Sequence, residues 1–361
     1  MAQKTVLWWG RFDPGYSRNR VYIALFKELG WDVRFFQIKA CCALGDWEFA
    51  LRGPKDVRPD VVWVPVARQR DAAAACRWAH RRGIPVLFDP MISAWDKKVL
   101  EQQKWSADER RAKRLLAWET QLFNAVDLLL CDTSCHADFF HQHMSVPREK
   151  LRVLLTGTDE QVFKPAAEGE DPPHDPAAPL RILYHGAYLP LHGTETIVEA
   201  ARLTQGLNIH WDFLGWGAYK AATEAKAKGI TNITFLNKVP YVDVPRVIRS
   251  ADIVLGVFGT TEKASRVIGN KVYEAMACCR PVINEFCPGY PPEAKTCPAI
   301  TFIPPGDPQA LAEAVKPWLN KREALTALRP VARTFFEQHL SMRVIKQQLA
   351  DILKDAAAIH P

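Results

Sequence analysis

Short apolar runs recur along the chain with helix-forming stretches between them, and no other feature restricts the fold so strongly. Thr5–Trp9, Val33–Ile38, Val61–Val66, Val86–Asp89, Asp127–Cys131 and Leu151–Leu154 have the length and apolar content of buried strands. The helical stretches include Arg20–Leu29, closed by Gly30, and a long charged region from Trp95 to Ala125. From Arg181 the alternation restarts. Strands are expected at Arg181–His185, Ile209–Leu214, Ile233–Leu236, Ile253–Phe258 and Ile300–Ile303, and helices at Thr194–Leu203, Ala218–Lys228 and Val242–Ser250. Alternation of this kind implies an α/β protein with doubly wound parallel sheets, helices covering both faces. Ligands of such sheets sit in the crevice at the carboxyl ends of the strands.

A chain of 361 residues exceeds one ordinary core, so two domains are expected. Ala166–Pro179, rich in proline and acid without a period, reads as a linker between a domain at 1–165 and a second at 180–335. The closing segment, 336–361, holds a helix from Met342 to Ala356. Its stripe of Val344, Ile345, Leu349, Ile352 and Leu353 must pack on something. Hydrophobic residues at 48% and charged residues at 24% argue against a disordered chain or a coiled coil. No apolar run reaches the length that spans a bilayer, and the opening MAQKTVLWWGRFDPG lacks a secretory cleavage pattern, so a cytoplasmic protein is expected. Nine cysteines include the vicinal pairs Cys41-Cys42 and Cys278-Cys279, a spacing that suits neither a disulfide framework nor a zinc site; reduced thiols are expected. The net charge is +7, with a basic run from Lys97 to Arg114. That run is either a solvated helix face or a peripheral contact with an anionic membrane or acceptor.

One stretch, Gly259 to Asn284, carries the chemistry. A glycine-threonine loop, Gly259–Thr261, follows a buried strand and leads to a helix for which Asn270 is the expected cap. Lys271 and Glu274 fall one turn apart on one face of that helix, and Arg280-Pro281 ends it. A strand, a polar loop and a helix start bearing a cation and an acid are how α/β proteins hold a nucleotide's phosphates and ribose. In the first half, Gly10, Arg11, Asp13, Gly15 and Asp89 fall at strand ends and so line the expected crevice.

Leu155-Thr156-Gly157-Thr158-Asp159 with Phe163 and Pro165, then Gly186, Gly215-x-Gly217, Ser250-Ala251-Asp252, Lys271, Tyr273-Glu274-Ala275-Met276-Ala277, Pro281-Val282 and Pro305-Gly306-Asp307 occur in that order. In series they resemble a retaining family-4 glycosyltransferase of the GT-B architecture, two Rossmann-like domains facing a cleft. The resemblance implies a C-terminal domain that binds a UDP- or GDP-linked sugar donor and an N-terminal domain that binds the acceptor, a glycan, a lipid-linked saccharide or a small molecule. It also implies a last helix that crosses back to the first domain, and no cofactor besides the donor. A glutamate usual in that family eight residues before the position of Glu274 is replaced by Arg266. The arginine and lysine usual after the second domain's first strand give way to Ala187 or Tyr188 and His192.

Within that frame Lys271 and Arg266 are the expected diphosphate ligands and the groups that stabilise the leaving charge, Arg266 with a planar fork and Lys271 as a point charge. Glu274 is expected to accept hydrogen bonds from the ribose hydroxyls. Gly259, Thr260 and Thr261 offer amides and hydroxyls to the donor sugar. Gly186, which opens the loop after the second domain's first strand, and Gly215 and Gly217, a tight strand-to-helix turn, are further expected donor-binding positions. His192 can hydrogen-bond a phosphate, with a charge that varies near neutral pH. Gly15 lets backbone approach the donor phosphates or the acceptor, and Asp89 is the candidate to orient or deprotonate the acceptor hydroxyl. Blander roles stand beside these: an exposed loop arginine for Arg266, an i, i+3 ion pair on a helix surface for Glu274 and a plain turn for Gly259–Thr261. No metal is expected, since no Asp-x-Asp lies near a strand end. Two other readings share the architecture: a degenerate nucleotide- or glycan-binding protein without turnover, and a nucleotide-sugar epimerase.

Overall fold

The computed structural model describes residues 3–167 and 177–359, so most of the expected linker, 168–176, lies outside the described residues. The chain forms two compact units, Met1–Gly157 with Met342–Pro361, and Thr158–Ser341.

In the first unit β1 (Thr5–Gly10), β2 (Asp32–Gln37), β3 (Val61–Val64), β4 (Val86–Phe88), β5 (Leu128–Cys131) and β6 (Leu151–Val153) form one sheet in the order β2-β1-β3-β4-β5-β6. Every pairing is parallel. Alternation along β1 sends Trp8 and Trp9 to opposite faces. Trp8 stacks on Trp63 at 5.6 Å and meets Phe26 of α1 (Ser17–Glu28). Trp9 stacks on Phe49 of α2 (Gly45–Arg52) at 5.3 Å and packs on Trp78 of α3 (Gln69–His80). Fully burying side chains of this size contributes roughly 1.5–3 kcal/mol each. The expected helix from Trp95 to Ala125 is broken: α4 (Ala94–Asp96) runs into a short wide turn, Lys97–Glu101, and α5 (Arg110–Ala125) begins only after an interruption. The basic run therefore lies on two elements. Within it Lys98 and Arg111 both sit over Trp105, and Arg111 pairs with Glu109. After β5, Thr133 caps α6 (Ser134–Met144) by accepting from the His136 amide at 3.1 Å.

The second unit holds β7 (Leu180–Ala187), β8 (Ile209–Trp216), β9 (Ile233–Leu236), β10 (Ile253–Leu255), β11 (Val282–Glu285) and β12 (Ile300–Ile303). Their order, β12-β11-β10-β7-β8-β9, is that of the Rossmann dinucleotide-binding sheet, and its reversal falls between β7 and β10. α7 (Thr194–Leu203), α8 (Lys220–Lys226), α9 (Val244–Arg249), α10 (Asn270–Ala277), α11 (Pro308–Val315) and α12 (Arg322–Phe335) cover it. Asn270 does not cap α10: Gly269 holds that position in extended backbone with no side-chain bond, and Asn270 is the first helical residue. The nine cysteines are free thiols.

The last helix, α13 (Met342–Ile359), belongs to the first unit. Ile345, Leu349, Ile352 and Leu353 are buried, while Val344 is half-buried. Arg152 pairs with Asp355 at 2.6 Å, and Lys346 with Glu28 of α1 at 3.1 Å. No helix among the described residues is long and apolar enough to cross a membrane.

Candidate functional site

The reversal of strand order in the second unit opens a gap above β7 and β10, and the chain lines it with loops held in place by backbone bonds. Gly259 donates to the Leu191 carbonyl at 3.0 Å, and a Cβ on Gly259 would lie 2.5 Å from that oxygen, so only glycine lets the two loops meet. Gly306 donates to the Phe258 carbonyl at 3.0 Å. The Asn284 side chain ties the same loop down, accepting from the Val257 amide and donating to Tyr290 Oη at 2.9 Å. At the neighbouring strand end Gly215 has φ +152°, and a Cβ there would sit 1.8 Å from the Gly186 carbonyl oxygen. Gly217 follows on the surface.

Into this frame α10 brings Lys271 and Glu274. Lys271 is 4% exposed; its Nζ lies over the Tyr184 ring at 5.2 Å and beside Gly186. Burial lowers its pKa to about 7, against a smaller upward pull from Glu274. Glu274 is half-buried, and its Oε2 lies 3.5 Å from His185 Nδ1. The His185 imidazole is pushed down to about 3, first by burial and then by Lys271, so it is neutral; its Nε2 is buried with no protein partner.

His192 departs from expectation. Its Nδ1 bonds the Ala187 carbonyl, a group that only accepts, so the ring proton resides there and Nε2 is left as an acceptor. Burial, then Lys271, holds its pKa well below the ordinary value. Its charge therefore does not vary near neutral pH, and an acceptor nitrogen does not suit a phosphate oxygen. The turn before α10 carries Lys263 and Arg266, 6% and 9% exposed, rather than an exposed loop arginine. Lys263 adds to the depression of His192 and so contributes positive potential to the same place. Thr260 is exposed, whereas the buried Thr261 Oγ1 has no protein partner.

In the first unit Asp89 sits just past β4 with no exposure, and Arg18 Nε and Nη2 each bond one of its carboxylate oxygens at 2.8 Å. Arg18 Nη1 continues to Thr156 Oγ1 at 2.8 Å. A carboxylate enclosed and engaged in this way is not presented to an acceptor hydroxyl, so the role expected of Asp89 gives way to a structural one: it joins α1, β4 and the segment after β6. Gly15 lies in an exposed loop, its amide on Asp13 Oδ1 at 2.8 Å.

Residues 179–321 match the family model described as glycosyl transferases group 1, and residues 16–157 match the glycosyl transferase 4-like domain. No curated protein sequence matches the chain. Its fold is similar to that of Anabaena Alr3699/HepE, solved in complex with UDP and glucose, with TM-score 0.71 at 15% identity over 98% of this chain and 100% of that one. It is similar also to a sucrose-phosphate synthase from Thermosynechococcus elongatus, with TM-score 0.74 at 17% identity over 99% and 100% of the two chains. A glycosyltransferase from Rickettsia africae gives TM-score 0.70 at 14% identity over 99% of each. The chain belongs to the GT-B glycosyltransferases.

Three residues of this glycosyltransferase's second unit escaped the sequence reading. His185 was hidden because a histidine inside an apolar strand looks like core; its place one residue before Gly186 was the available signal. Lys263 lay in the right loop but without a motif. Glu285 ends β11 with 1% exposure, its Oε2 lacks a protein partner, and burial pushes its pKa up to about 8. Nothing in its local sequence marks it.

Proposed function

We propose that this glycosyltransferase moves a sugar from a UDP- or GDP-linked donor to an acceptor hydroxyl with retention of configuration, using fixed cations rather than a metal. The observation that carries the reading is the buried Lys271 at the start of α10, beside Gly186 and one turn from Glu274, at the reversal point of a Rossmann sheet. Its ammonium, with Arg266, meets the negative charge that grows on the departing diphosphate. Glu274 takes the ribose hydroxyls. His185 Nε2, Thr261 Oγ1 and Glu285 Oε2 are buried polar atoms without protein partners, and a sugar nucleotide supplies such partners. In this reading the first unit receives the acceptor. The similarity to a protein solved with UDP and glucose supports a uridine donor first.

Nucleotide binding tests the donor site. UDP or GDP should raise the melting temperature by an amount that grows with concentration. Absence of a shift with every nucleoside diphosphate would remove the assignment. Tight binding with no consumption of any sugar nucleotide would instead favour a binding protein without turnover.

A further inference from the structure

Helix α2 is built inside out. With Leu44, the residue just before it, its outward stripe is Leu44, Trp47 and Leu51, spaced three and four residues apart and 55%, 69% and 82% exposed. Its acids point inward: Asp46 and Glu48 are 6% and 9% exposed. Glu48 accepts from the amides of Lys39 and Ala40 at 2.7 and 3.0 Å. Phe49 is the large apolar side chain that anchors the helix in the core.

The surrounding ion pairs share one polarity. Arg77 pairs with Asp46 at 2.7 Å, Arg68 with Asp71 at 2.6 Å, and Arg52 with Glu48. In each pair the carboxylate is sunk, with 5%, 0% and 9% side-chain exposure, while the guanidinium keeps 42%, 23% and 39%. The face thus shows large apolar side chains rimmed by cations, with the balancing acids withdrawn beneath it. Scattered apolar residues on a surface need no explanation, but a contiguous stripe of this kind does.

We propose that this face of the first unit docks on an anionic lipid bilayer, with Leu44, Trp47 and Leu51 entering the interface and the guanidinium rim pairing with headgroup phosphates. The charge arrangement favours a membrane over a second copy of the chain, whose same face would oppose cations to cations. Tryptophan is enriched at the headgroup level, and an apolar stripe with a cationic margin is the composition that lies in the interface plane. α3 packs against both α2 and α5, so α5, which carries the exposed Arg110, Lys113 and Arg114, belongs to the same helical layer; Lys113 there pairs with Asp108 at 3.4 Å. Binding of this kind is independent of the donor-site reading.

The test is flotation of the full chain with vesicles of phosphatidylglycerol and phosphatidylcholine against vesicles of phosphatidylcholine alone. The protein should float with the anionic vesicles, be released by raised salt and stay behind with the neutral ones. The variant Leu44→Ser/Trp47→Ser/Leu51→Ser, confined to exposed positions and checked for an unchanged melting temperature, should lose at least about tenfold of the bound fraction. Lys113→Gln/Arg114→Gln should weaken binding less and reduce its salt dependence. Equal recovery with both vesicle types overturns the proposal, as does a triple serine variant that floats like the parent. A concentration-dependent dimer abolished by the triple variant also overturns it, since a second copy would then cover the stripe.

Discussion

Binding a sugar nucleotide should draw a proton from solution, and Lys271 sets how much. In the unliganded protein burial leaves its pKa at about 7. A diphosphate laid against the ammonium favours the charged form; two unit charges ~4 Å apart at an effective dielectric of ~20 interact by about 4 kcal/mol, close to three pH units. The bound value then lies near 10. At pH ~8 about one Lys271 in eleven is charged before binding and nearly all are charged after it, an uptake of about 0.9 proton per nucleotide. The sign follows: affinity is full below pH ~6 and falls about tenfold per pH unit between ~7 and ~10. Calorimetric titration with UDP-glucose and GDP-mannose at pH ~8, in two buffers of different ionisation enthalpy, measures the uptake directly. Sugar nucleotides suit the purpose because their diphosphate does not itself titrate in this range. Lys271→Met should bind at least about tenfold more weakly and take up no proton. Tight wild-type binding with identical heats in both buffers would show that Lys271 does not change its charge on binding, and an uptake that persists in Lys271→Met would show that another group takes the proton.

Other expectations bear on the frame around that lysine. The folded protein raises Glu285 from 4.5 to about 8, so the stability it confers is complete below pH 4.5 and lost as pH rises through about 8. Glu285→Gln should therefore stabilise the protein by about 1–3 kcal/mol in alkaline buffer and little in acid, as read by urea unfolding; equal effects in both would show that the carboxyl is not buried as described. Arg18→Met leaves the Asp89 carboxylate enclosed and unpaired and should cost about 3–5 kcal/mol, while adding Asp89→Leu should recover much of it. Equal instability of both variants would count against a mainly electrostatic role. Gly215→Ala drives a Cβ into the Gly186 carbonyl and should lower nucleotide affinity at least about tenfold, whereas Gly206→Ala, with open space around it, should leave affinity unchanged.

Much of the fold was legible because strand cores are contiguous in sequence. Thr194–Leu203, Ile233–Leu236 and Ile300–Ile303 form their elements with the expected ends. Errors arose where local pattern and tertiary packing compete. Trp95–Ala125 reads as one helix by composition, but Trp105 draws Lys98 and Arg111 to itself across the break, and Glu119 on α5 turns back to accept from Ser93, Ala94 and Trp95. At the site, Lys271 and Glu274 were visible as a pair on one helix face. What sequence could not show is exposure: it gave His192 a titrating ring, Asp89 an accessible carboxylate and α2 no special meaning. Each depends on which chain segments cover a side chain, and spacing alone does not record that.

Release of nucleoside diphosphate from a sugar nucleotide reports turnover without knowledge of the acceptor. The full chain is incubated with a panel of UDP- and GDP-linked sugars, with and without candidate hydroxyl acceptors, and free UDP or GDP is quantified over time. Release is expected from one donor class, accelerated by an acceptor and abolished in both Lys271→Met and Glu274→Gln. Nucleotide binding without release from any donor, or release that survives both substitutions, would contradict the proposed function.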